Sequence, residues 1–101
     1  MKYKINDVEF EFDIYEVEDA KRLEEVYSKI EKGEAEAVTL LRDKKIGQGV
    51  EALYDCYKKF FIDLVGVDVI KDLNNALKAQ RLVVDFVKGL DPSKEITSIN
   101  D

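Results

Sequence analysis

The side chains able to do chemistry are few in kind. Histidine is absent and there is one cysteine, Cys56. The commonest general base and the commonest transition-metal ligand are therefore both missing, and no intrachain disulfide can form. Cys56 falls beside an apolar stripe with no histidine or second cysteine to activate it, so it reads as a small buried or half-buried apolar residue. Carboxylates are plentiful, at 22. A general acid/base pair needs two of them in one pocket with their pKa values pushed apart. Here they fall opposite the apolar stripes of helices or on the solvent face of a hairpin, and solvation is the expected state. Gly47-Gln48-Gly49 resembles a phosphate loop only superficially. It lacks a third glycine, the Gly-Lys-Ser/Thr signature and a preceding buried strand, and close packing or a flexible helix start explains it better. The acids do not have calcium-loop spacing. No catalytic residue, cofactor or metal is expected, and the chain reads as non-enzymatic.

What remains is apolar recognition. Tyr54, Tyr57, Phe60 and Phe61 form one aromatic group, and Ala79, Leu82, Phe86 and Leu90 form a second apolar face on the last helix. Aromatic anchors dominate protein interfaces, and they also fill cores. Either the hairpin and the first helix cover the second face, or another chain does. The candidate protein-binding residues are thus Ala79, Leu82, Phe86, Leu90, Tyr54 and Phe61.

Four elements must position these groups. Tyr3 and Ile5 alternate with Lys2 and Lys4, and Val8, Phe10, Phe12 and Ile14 alternate with Glu9, Glu11 and Asp13, which is the period of a half-buried strand pair. A two-residue Asn6-Asp7 turn sets Ile5 opposite Val8 and Tyr3 opposite Phe10 on one face. The same register sets Lys4 opposite Glu9 and Lys2 opposite Glu11 on the other, so apolar and charge pairing choose one register. A hairpin over about 2–14 follows. From Val17 the period becomes helical through Ala20, Leu23, Tyr27 and Ile30, with continuation through Gly33 to about Arg42. Ile46, Val50, Leu53, Tyr57, Phe60 and Leu64 define a second helix over about 46–65. Gly66 is a natural C-cap and Asp68 a natural N-cap, predicting a third helix over about 69–89, antiparallel to the second. Leu82, Val83, Val84, Phe86, Val87 and Leu90 span roughly 200° of its surface, well beyond one packing stripe.

The chain has 101 residues, 46% apolar and 38% charged. It is long enough to bury roughly two-thirds of its unfolded surface without a metal or disulfide. One domain over 1–92 and a polar tail over 93–101 are expected. The net charge is −6. Twelve acids face six bases in residues 1–36, while ten of each follow. No segment offers the basic face that nucleic acid or an anionic membrane needs. No apolar run approaches the ~18 residues of a membrane span, and no leader-like stretch follows Met1. A cytoplasmic protein is the simplest expectation.

Lys4-Ile5-Asn6-Asp7-Val8-Glu9-Phe10-Glu11-Phe12-Asp13-Ile14, an acidic helix start, the Ile46…Cys56…Phe60-Phe61…Val65-Gly66 helix and Leu73-Asn74…Ala76-Leu77 with a later Phe86 together resemble a family of small proteins from the tail gene clusters of tailed phages and prophages of Gram-positive bacteria. The coverage is nearly full length, on features of low specificity. Such proteins look like tail-assembly chaperones. The resemblance implies binding to tape-measure and tail-tube proteins in the host bacterial cytoplasm, without turnover. The alternatives are a structural subunit of the tail or connector and a host-directed regulatory binding protein. The fold expected is α+β and predominantly helical, a hairpin packed on three helices, with a homo-oligomer more readily formed than a monomer.

Overall fold

A computed structural model describes residues 1–71 and 73–90 of the chain. The expected tail, 93–101, and the expected domain end at residue 92 lie outside the described residues. The architecture is α+β and predominantly helical. It runs β1 (Lys2–Ile5), β2 (Val8–Glu11), α1 (Val17–Arg42), α2 (Ile46–Val65) and α3 (Ala76–Gly89).

The hairpin has the register that its residue types require. Lys2 pairs with Glu11, Tyr3 with Phe10, Lys4 with Glu9 and Ile5 with Val8. Asn6 and Asp7 both lie in the left-handed region, at φ 51° and 64°, as a type I′ two-residue turn demands. The ladder stops at Glu11, short of the expected residue 14. After one further bond, from the Phe12 N–H to the Met1 carbonyl, Asp13 turns the chain. Its side chain accepts from the Tyr15 N–H, and its own N–H donates to Asp19 Oδ2. Acidic Glu18 and Asp19 occupy the first turn of α1, where the helix dipole favours negative charge.

α1 continues through Gly33 without a break. A Cβ at that position would sit 3.0 Å from Cys56 Sγ, so the glycine lets α2 approach closely and offsets its low helix propensity. The two helices are antiparallel neighbours. At one end Arg22 Nη1 donates to the Leu64 carbonyl, which lies in the last turn of α2; at the other, Gly49 meets Leu41.

The third helix departs from expectation. It starts at Ala76, not near residue 69. The Asp68 side chain accepts from the Lys71 N–H, closing a turn instead of capping a helix, and the Leu73 N–H bonds back to the Ile70 carbonyl. Lys71 and Asn74 then take left-handed φ values of 53° and 48°, which a continuing helix forbids. Asn75 is the actual N-cap, accepting from the Lys78 N–H. Val69 and Ile70 are still fully buried, but as anchors of an irregular segment.

That segment reverses the expected topology. It runs back along α2: Lys58 pairs with Asp68 at 3.4 Å, and the Tyr54 hydroxyl donates to the Lys71 carbonyl at 3.2 Å. α3 therefore begins beside Val50 and Leu53, passes Tyr57 at Gln80 and meets Phe60 and Phe61 at Phe86. It is parallel to α2 and antiparallel to α1. A connection long enough to retrace the helix removes the constraint that made antiparallel packing the expectation.

Phe86 is the hub of the core. Its ring contacts those of Tyr3, Phe10, Phe12, Phe60 and Phe61 at centroid distances of 5.2–6.3 Å. Most of these contacts are edge-on, the arrangement that ring quadrupoles prefer. The hairpin turn is pinned as well: Asn6 Nδ2 donates to the carbonyls of Val69 and Ile70 at 3.0 and 3.2 Å.

Candidate functional site

The six residues singled out for protein binding do not form one exposed surface. Phe61 and Ala79 are fully buried, and Phe86 and Leu90 are buried within the same core. Between the two readings of the second face of α3, the hairpin's aromatic side chains supply the cover at Phe86. Leu82 is half-buried against that core. Tyr54 is half-buried too, and its hydroxyl holds the returning segment. As placed, these residues serve the interior, and the accessible apolar surface is elsewhere.

It lies on the side where α1 and α3 flank α2. Tyr57 of α2 is buried, and its hydroxyl donates to Glu34 Oε2 of α1 at 2.9 Å while accepting from Gln80 Nε2 of α3 at 3.1 Å. Burial first, and then the Glu34 carboxylate, push this hydroxyl above the ordinary tyrosine value. The relay fixes which faces look into the space between α1 and α3. Tyr27 and Val38 share the Glu34 face of α1 by helical spacing, and Leu77 and Val84 share the Gln80 face of α3. Ile46 and Val50 continue the Tyr57 stripe along α2. All six are 37–64% exposed. A cleft of about 340 Å³ opens at the upper end of this face, bounded by Val50, Leu53, Tyr57, Leu77 and Gln80.

The sequence pattern put Tyr27, Ile46 and Val50 on core stripes, and the structure leaves them partly open. For Ile46 and Val50 the cause is the late start of α3. Because it meets α2 only from about Val50 onward, the first turn of α2 has no neighbour on that side. The apolar periodicity of α2 held the signal, since its stripe extends one turn beyond what a short third helix can cover.

A second cleft, of about 460 Å³, lies between α1 and α2 on another side. Its lining mixes Lys29, Lys32 and Lys59 with Glu36, Asp55 and Asp63, and Lys29 pairs with Asp63 at 3.6 Å. Cys56 is at its base, its thiol pushed up to about 11 by burial and then by Glu34. At neutral pH the group is a thiol, a poor nucleophile, and its Sγ donates to the Ile30 carbonyl at 3.7 Å. In the Gly47-Gln48-Gly49 segment, Gly49 is buried against Leu41 while Gly47 has nothing within 4 Å, so close packing accounts for one glycine. Among the described residues, no group of three or more His, Cys, Asp or Glu side chains is placed to hold a metal ion. No helix of the described residues is long and apolar enough to cross a membrane.

In comparisons with family models, curated proteins and solved structures, nothing matches this chain.

Proposed function

We propose that this chain is a non-enzymatic protein-binding protein whose working surface is the α1–α3 face. The observation that carries the reading is that Tyr27, Val38, Ile46, Val50, Leu77 and Val84, each 37–64% exposed, fall by helical spacing on the sides of α1, α2 and α3 that the Glu34–Tyr57–Gln80 relay turns toward one another. Single exposed apolar residues are ordinary, but several on one face, two of them (Val50 and Leu77) lining a shared cleft, mark an interaction site. The shape, two helices flanking a third, suits a helical or extended apolar segment. The narrower proposal is a phage tail-assembly chaperone acting in the bacterial cytoplasm on tape-measure and tail-tube proteins. Its support is the resemblance of Lys4–Ile14, of the Ile46–Gly66 helix and of the Leu73–Phe86 segment to that family.

The test is co-expression with tape-measure and tail-tube proteins of a tailed phage of Gram-positive bacteria. A soluble complex that Leu77→Asp disrupts is expected. Recovery of the chain in purified virions would favour a structural tail subunit instead. Capture of one host protein in place of tail components would favour a regulatory binder. Substrate turnover surviving Cys56→Ala would overturn the non-enzymatic reading.

A further inference from the structure

We infer that in the free protein the α1–α3 face is occupied by a second copy of this chain, forming a symmetric dimer. The inference rests on reading this face as a binding surface and names its occupant. The charges on this face are self-complementary. Where α1 runs level with α3 its rim is acidic, with Glu24 and Glu31 on the Tyr27–Val38 side of the helix; Arg42, on the same side, lies beyond the start of α3. The rim on α3 is basic, with Arg81 beside Leu77 and Val84, and Lys88 one to two turns further on. Among the described residues, none of Glu24, Glu31, Arg81 and Lys88 has an ion-pair partner. A face with opposite charges on its two edges is unsuited to a uniformly charged partner. It is suited to itself under a two-fold axis parallel to the helices, which lays α1 of one copy over α3 of the other.

The levels agree. The Glu34–Tyr57–Gln80 relay fixes Glu34 and Gln80 at one height, and α1 and α3 run in opposite directions. Glu31 therefore stands near the level of Val84, between Arg81 and Lys88. Across the proposed interface it faces Arg81 and Lys88 of the partner subunit, and the symmetric pairing repeats on the other edge. A two-fold axis perpendicular to the helices would instead lay the acidic edge of α1 over its own copy and the basic edge of α3 over its own copy, which like-charge repulsion disfavours. Between the charged edges the exposed Tyr27, Val38, Val50, Leu77 and Val84 surround the Glu34–Tyr57–Gln80 relay, so each copy would bring apolar surface inside a charged rim. Two-fold dimers are also the commonest closed assembly of soluble chains.

Sedimentation equilibrium of the full chain over a range of concentrations tests this. Wild type is expected to be a dimer that weakens as salt rises. Leu77→Asp should weaken it at least about ten-fold with far-UV circular dichroism unchanged, because Leu77 is 56% exposed in the single chain. Arg81→Glu should weaken the dimer, and adding Glu31→Arg should restore it, which a fold defect would not do. A wild type that stays monomeric at every concentration overturns the inference, as does a dimer indifferent to Leu77→Asp and to the charge swap. A monomer that binds a tail protein in a Leu77-dependent way defeats the second copy and leaves the protein-binding reading standing. A dimer formed through this face with no foreign partner does the reverse.

Discussion

Asn6 has two unrelated duties. Its backbone takes the left-handed conformation that the turn needs, and its side-chain amide donates to the carbonyls of Val69 and Ile70. Asn6→Asp keeps the turn geometry but aims a carboxylate at two carbonyl oxygens. A loss of roughly 1–3 kcal/mol is expected in urea denaturation, whereas Asp7→Asn should change little. Lys4→Glu tests the hairpin register separately. Set against Glu9 across the strands, it should cost roughly 0.2–1 kcal/mol. The thiol of Cys56 supplies a pH dependence. Its pKa rises from 9.0 to about 11 in the folded chain, so the native state holds the proton more tightly than the unfolded state does. The stability this contributes is complete below pH 9 and is lost as pH rises through 9 to 11. Urea midpoints at pH 8 and pH 10.5 should fall further apart in wild type than in Cys56→Ala. The turn was legible from residue types alone, because pairing across a short hairpin is local. The Asn6 latch was not, since its acceptors lie more than sixty positions away in the chain.

At the scale of elements, two nearby glycines separate propensity from packing. Gly47 has no atom within 4 Å of a would-be Cβ, whereas a Cβ at Gly49 would sit 2.7 Å from Leu41 Cγ and Cδ2. Gly47→Ala should therefore stabilise by up to about 1 kcal/mol through helix propensity. Gly49→Ala should destabilise by roughly 1–3 kcal/mol through overpacking against α1. Thermal melts of the two variants check both signs, and equal shifts would contradict the close approach of α1 and α2. The bounds of these two helices were readable, because a 3.6-residue apolar period and a Gly66 C-cap are local signals. The start of α3 was misread because Asp68 is as good a turn-former as a helix cap. The choice was decided by burial of Val69 and Ile70, whose partners are supplied by other elements.

For the whole molecule, the consequence is that Phe86 belongs to the core and not to an outer surface. Its ring meets five others, and truncating such a residue costs about 3–5 kcal/mol, a large part of the ~5–15 kcal/mol that holds a domain together. Phe86→Asp should therefore abolish the cooperative melt, whereas Leu77→Asp should leave it intact while altering association. Circular dichroism and sedimentation on the two variants distinguish a core position from a surface one. The hairpin and its register, the first two helices, the α+β class and the identity of the apolar residues can be read from the residue order. All of these follow from periodicity and neighbour pairing within short stretches. Which apolar residues are covered is fixed only in the folded molecule. That depends on where a returning segment sets down α3, and hence on contacts between residues far apart in the chain. The same placement buried Phe86 and Leu90, turned Leu77 outward and left Val50 and Ile46 open, because one short helix beside α2 cannot cover its whole stripe.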